Sequence, residues 1–106
     1  MTSHEDFRNH AKELVDYMAD YTESQVDLPP LPDVTPGYLF SALPDHAPLK
    51  PETFEEVMRD FKELVMPGIT QWHSPDFYAY YPLGNSYPSM LGKTVFIFGR
   101  WIYMVE

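Results

Sequence analysis

From Phe7 onward, apolar side chains recur every three or four residues. Phe7, Ala11, Leu14, Val15, Met18 and Tyr21 share one side of a helix, while Lys12, Asp16, Asp20 and Glu23 fall largely off it. Two overlapping capping boxes, Thr2-x-x-Glu5 and Ser3-x-x-Asp6, can start this helix, and the pattern predicts about five turns ending before Pro29. A second stripe of Phe54, Val57, Met58, Phe61, Leu64 and Val65 follows Thr53 as its cap and stops at Pro67-Gly68. On that helix Glu55 and Arg59 are spaced for an i,i+4 ion pair, worth roughly a few tenths of a kcal/mol.

The connectors are rich in proline. Prolines 29, 30, 32 and 36 remove backbone donors and fix φ, so residues 27–36 must run extended, with Leu28, Leu31 and Val34 giving this strap an apolar face. Pro36-Gly37 supplies turn chemistry before a short helix, Tyr38 to Leu43, and Pro44, Pro48 and Pro51 bracket a second connector. Residues 69–82 fit neither the helical nor the alternating period. Ser86 caps a last helical turn entered through Pro88, and Val95 to Phe98 prefers strand over helix. The two long helical stripes could pair as a hairpin. The connectors between them are longer than a self-contained bundle uses, so the expected design is all-α, with amphipathic helices wrapped over another surface.

Composition sharpens this picture. The chain has 106 residues, enough for one small domain at most, and 44% of them are hydrophobic, which argues against general disorder despite eleven prolines. Sixteen acids against seven bases give a formal charge of -9, which disfavours binding nucleic acid through its phosphates. All of that excess lies in residues 1–66, while residues 67–106 are balanced and hold ten of the seventeen aromatics. Cysteine is absent, so disulfides and thiolate chemistry are excluded. The polar start is unlike a targeting signal, and no run approaches the roughly 20 apolar residues that span a bilayer, so the expected setting is the cytoplasm with no membrane partner.

Candidate chemistry is sparse. His10 with Glu13, and His73 with Asp76, are two-residue pairs; a metal needs more ligands, so the first reads as an exposed, solvated helical pair and His73 as a structural histidine. Glu55, Glu56 and Asp60 sit on an outward helix face where nothing would raise a carboxylate pKa for acid-base work. No phosphate-binding glycine loop or nucleophile elbow occurs. The informative stretch is 72–87, where Trp72, Phe77, Tyr78, Tyr80, Tyr81 and Tyr87 crowd an irregular segment that cannot bury them all. Some of these rings should line a cleft suited to a flat, partly polar aromatic ligand.

Several strings then fit a known pattern. Phe7-Arg8-x-x-Ala11-Lys12-Glu13-Leu14-Val15-Asp16-Tyr17, Pro32-Asp33-Val34-x-Pro36-Gly37-Tyr38-Leu39, Met66-Pro67-Gly68-Ile69-Thr70 and Trp72-His73-Ser74-Pro75-x-Phe77 resemble the start of the group II pyridoxal-phosphate amino-acid decarboxylases, above all the aromatic-L-amino-acid decarboxylase branch. Ala79-Tyr80-Tyr81-Pro82 and Ser86-Tyr87-Pro88-x-Met90-Leu91 continue the resemblance, which covers residues 5 to about 92.

The resemblance implies a dimeric fold-type I enzyme whose N-terminal helical segment, residues 1–92 here, lies across the partner subunit. It implies that Trp72, Tyr80, Tyr81, Pro82 and Leu83 line the pocket for an aromatic amino-acid side chain. Leu83 stands where relatives often carry threonine, which removes a hydroxyl and weighs against a catechol preference, and Gln71 stands where relatives usually have histidine. Pyridoxal 5'-phosphate is implied for the intact enzyme but not for this chain alone: none of Lys12, Lys50, Lys62 and Lys93 lies in the family's lysine motif, so no catalytic or cofactor-binding residue is assigned. The expectation is a fragment inactive by itself, with residues 93–106 a divergent tail arising from altered splicing or an incomplete reading frame and prone to aggregate. A non-catalytic module that pairs with a full-length decarboxylase subunit is the runner-up.

Overall fold

The computed structural model describes residues 3–79 and 84–103. Helix α1 spans His4–Ser24, and a single 3-10 turn, Gln25–Asp27, ends it. Of the two capping boxes, the one the structure describes is Ser3 with Asp6: Asp6 N–H donates to Ser3 Oγ and Ser3 N–H to Asp6 Oδ2, both at 3.0 Å. At the far end the Thr22 and Ser24 hydroxyls donate back to the Met18 and Tyr21 carbonyls, local bonds that compete with helix continuation.

Residues 28–37 carry neither helix nor strand. The predicted turn closes with Tyr38 N–H donating to the Thr35 carbonyl at 3.1 Å, and Gly37 at φ 85° supplies the left-handed residue that a type II turn requires. Helix α2, Tyr38–Ala42, follows. Helix α3, Phe54–Asp60, begins with a second capping box between Thr53 and Glu56. It then widens into a π turn, Phe61–Val65, and tightens into a 3-10 turn, Met66–Gly68, before Ile69 leaves extended. The stripe had predicted an α-helix throughout. Pro67 has no N–H with which to continue the ladder, and near it Met66 N–H bonds the Phe61 carbonyl five residues back.

Helix α4 runs Tyr87–Tyr103, far beyond the single turn expected, and the predicted strand preference of Val95 to Phe98 is overridden. Ser86 and Ser89 exchange side-chain-to-backbone bonds at its start, and the Thr94 hydroxyl satisfies itself on the Met90 carbonyl at 3.0 Å. A nucleated helix extends through β-branched residues at small cost per residue, whereas a lone strand has no partner to pair with. No strand occurs among the described residues, and the fold is helical as expected.

Helices α1 and α3 meet, but not stripe against stripe. His10 stacks on Phe54 with ring centroids 4.2 Å apart, Tyr17 meets the edge of Phe61 at 6.5 Å, and Lys62 Nζ stands 4.7 Å above the Tyr17 ring. These contacts use the His10–Tyr17 edge of α1. Most of the predicted stripe stays open, with Phe7, Leu14, Val15 and Met18 all exposed, while its last member, Tyr21, is tied by its hydroxyl to Gln71. The expected Glu55–Arg59 pair does not form: Glu55 faces His10 Nδ1 at 3.9 Å, and Arg59 reaches its neighbour Asp60 at 3.4 Å.

Among the described residues Met58 is the one buried hydrophobic side chain. A compact monomer of 12.4 kDa exposes about 6,100 Å² by the usual area–mass scaling, and this chain exposes 9660 Å². Its radius of gyration of 16.9 Å likewise exceeds the ~13 Å of a compact domain of this length. The helices frame surface more than they enclose a core.

Candidate binding site

The site is built on the irregular loop after α3. An irregular segment must satisfy its backbone with turns and side chains. Here two polar residues do so from buried positions: Gln71 and Ser74 retain 7% and 5% of their exposure. Gln71 N–H donates to the Pro30 carbonyl at 2.9 Å, its Nε2 donates to the Ile69 carbonyl at 3.3 Å, and its Oε1 accepts from Tyr21 Oη at 2.6 Å. Ser74 Oγ donates to the Leu28 carbonyl at 3.5 Å and accepts from Asp76 N–H at 3.3 Å. The loop is therefore tied at two points to residues 28–30 and at one to α1.

Between those anchors, Trp72 and His73 both keep exposed surface. Trp72 is 46% exposed and leans on Phe77, with ring centroids 5.0 Å apart at 48°. Tyr78 is more open still, and its hydroxyl donates to Asp76 Oδ1 at 3.4 Å. Of the residues expected to line the substrate pocket, Trp72 is thus presented at the surface on an aromatic support. Tyr80, Tyr81, Pro82 and Leu83 lie outside the described residues.

An open cavity of about 460 Å³ lies beside the loop. Tyr17 and Tyr21 of α1, Phe61 and Met66 after α3, His73 of the loop and Met90 of α4 all face it, and Gly84 leaves the room that the His73 ring fills. The volume and the mostly apolar, ring-rich walls suit a small aromatic molecule. Partial burial, and then the neighbouring Tyr21, push the Tyr17 phenol above its ordinary value of 10.0, so it stays protonated at neutral pH. Trp72 is not part of the cavity wall. Tyr21 connects the two features, since its ring lines the cavity and its hydroxyl holds Gln71.

The other candidates resolve as structure. His10 is engaged by Phe54 and Glu55 rather than Glu13, and no cluster of three metal-ligating side chains occurs among the described residues. Glu56 is committed to its cap: Thr53 backbone and hydroxyl donors hold its carboxyl below the ordinary value. Of the lysines, Lys62 sits over the Tyr17 ring, and Lys12 borders a shallow depression on α1 with Ala11, Val15 and Asp16. Composition and periodicity gave no hint of the Tyr21–Gln71–Pro30 junction. The signal available was a glutamine and a serine standing in an otherwise aromatic, proline-broken stretch, where polar residues are needed to tie down loop backbone.

Comparison with known proteins agrees on one family. Residues 36–97 match the pyridoxal-dependent decarboxylase conserved domain. The chain is 51% identical over 86 residues to the aromatic-L-amino-acid decarboxylase of Rattus norvegicus, covering 81% of this chain and 18% of that protein. It is 46% identical over 87 residues to the histidine decarboxylase of Drosophila melanogaster, covering 82% and 10%. The crystal structure of Catharanthus roseus tryptophan decarboxylase in complex with L-tryptophan superposes with a TM-score of 0.79 at 39% identity, over 88% of this chain and 20% of that one. Rhodiola rosea 4-hydroxyphenylacetaldehyde synthase gives 0.80 at 34%, over 89% and 20%. The chain thus spans about a fifth of the length of the aromatic-L-amino-acid decarboxylases it matches.

Proposed function

The chain belongs to the pyridoxal-dependent decarboxylase family, and from that premise we propose that it is a segment of an aromatic-L-amino-acid decarboxylase that shapes the pocket for the substrate's side chain. The intact enzyme converts an aromatic amino acid to its amine and carbon dioxide in the cytoplasm. The single observation that carries this reading is the identity of about half of all positions, over four-fifths of the chain, with decarboxylases named for aromatic substrates. The relatives' names differ in reaction or substrate but share a ring-bearing molecule, in keeping with a segment that recognises the ring.

Within the segment, Trp72 on its Phe77 support contacts the substrate ring, joined by Tyr80, Tyr81, Pro82 and Leu83. Pyridoxal phosphate and the lysine that holds it belong to the rest of the enzyme. A second subunit covers the open apolar side of α1. Support for this comes from the exposed apolar side chains of Phe7, Leu14, Val15 and Met18 along that helix.

The test is direct. The purified 106-residue chain, supplied with pyridoxal phosphate and L-tryptophan, L-tyrosine or L-histidine, is expected to yield no amine. Residues 5–92 grafted in place of the matching segment of the rat enzyme are expected to support decarboxylation, with Trp72→Ala raising KM. Amine production by the chain alone, or a graft indifferent to Trp72→Ala, contradicts the proposal.

A further inference from the structure

We propose that Gln71, held by Tyr21 and Pro30, is the positioning residue that sets where Trp72 stands and thereby how a substrate ring is placed; the second half of this rests on the reading of Trp72 given above. Gln71 directly precedes Trp72 and is one of the least exposed residues in a chain with almost no core. A buried amide has two donors and an acceptor to satisfy, and here one donor and the acceptor find partners from different directions, with the residue's own backbone N–H adding a third bond. The 2.6 Å bond from Tyr21 Oη fixes the loop to α1, and the 2.9 Å bond to the Pro30 carbonyl fixes it to the proline connector. Trp72 N–H then turns back on the Thr70 carbonyl at 3.1 Å, and the indole settles against Phe77. With Ser74 anchored to Leu28 on the other side, Trp72 leaves a short backbone arc fixed at both ends.

The consequence is that a side chain outside the pocket decides the attitude of one that faces the ligand. Tyr21 carries the coupling further. Its ring lines the 460 Å³ cavity while its hydroxyl holds Gln71, so one residue belongs to both features.

The experiment follows the indole itself. The chain is prepared with 5-fluorotryptophan in a Trp101→Phe background, so that one fluorine resonance reports on Trp72. Tyr21→Phe and Gln71→Ala are each expected to shift and broaden that resonance and to speed indole N–H exchange up to about tenfold, the scale of one lost hydrogen bond. The double variant is expected to add little to either alone. Tyr78→Phe, which removes a hydroxyl elsewhere in the loop, is expected to leave the resonance in place. Helical circular dichroism unchanged across the set separates repositioning from unfolding.

In the grafted enzyme, Gln71→Ala is expected to raise KM for the aromatic amino acid with kcat held. A Trp72 resonance unmoved by both Tyr21→Phe and Gln71→Ala overturns the proposal. A resonance that moves as expected, in an enzyme whose KM ignores Trp72→Ala, instead overturns the substrate role of Trp72 and leaves the Gln71 contact standing.

Discussion

Tyr38 shows how much a single side chain carries in a molecule with so little core. Its hydroxyl donates to the Leu64 carbonyl at 2.7 Å, satisfying backbone at the point where α3 gives up its regular ladder, and its ring crosses Gly68 so closely that a Cβ there would collide with it. Gly68→Ala is therefore expected to expel the Tyr38 ring and to cost about 1–3 kcal/mol, the scale of overpacking plus a lost buried hydrogen bond. Tyr38→Phe alone forfeits about 1 kcal/mol, and the double variant falls short of the sum because the clashing oxygen is already gone. Amide exchange over residues 61–68 in the four proteins measures this. Additive effects would mean that the two residues do not meet. Thr53→Ala tests a second residue of this kind: losing its cap is expected to weaken α3 by about 1 kcal/mol, seen as faster exchange at the Glu56 amide.

At the scale of elements, helices α1 and α3 each begin with a carboxylate folded back on its own cap. Ser3 donors hold Asp6 below its ordinary value of 3.8, the side-chain hydrogen bond contributing most, and Thr53 donors, the backbone N–H first, hold Glu56 below 4.5. Since the folded-state values lie below the unfolded ones, the ionised acid favours the helix. That contribution is complete above the ordinary values and is lost as pH falls through the lowered ones. Acid titration is thus expected to fray the first turns of α1 and α3 below about pH 4 while the serine-capped start of α4 holds. Amide shifts of Asp6, Glu56 and Ser89 distinguish the three ends, and simultaneous loss of all three would contradict a local cause. Helix α4 makes a different point. Leu91, Val95, Phe96, Ile97 and Phe98 are all at least 61% exposed along it, so its helical state owes little to burial within this chain. Capping by Ser86 and Ser89 and propagation through local hydrogen bonds account for it.

The whole molecule is defined by what it leaves uncovered. Twenty large hydrophobic side chains are exposed among the described residues, against the single buried Met58, and a surface of this kind associates in water. The purified chain is expected to sediment as dimers or larger species, to bind a hydrophobic dye, and to melt without a sharp transition. A monomer that melts cooperatively and leaves the dye dark would show that the helices are sufficient to each other after all. No helix among the described residues is long and apolar enough to cross a membrane.

Local chemistry was legible in the amino-acid order because it acts within four residues. The Ser3 and Thr53 capping boxes, the Pro36-Gly37 turn, the stop at Pro67-Gly68 and the Ser86 start were all written there, as was membership of the decarboxylase family through strings such as Trp72-His73-Ser74-Pro75. The edge that α1 turns toward α3, the π turn at Phe61–Val65 and the helical state of Val95 to Phe98 were decided by tertiary and capping context. Periodicity reports which side is apolar, not which neighbour arrives to cover it. The Tyr21–Gln71 bond joins residues fifty apart, and a hydrogen bond between two ordinary polar side chains leaves no trace in sequence until folding brings them within 2.6 Å.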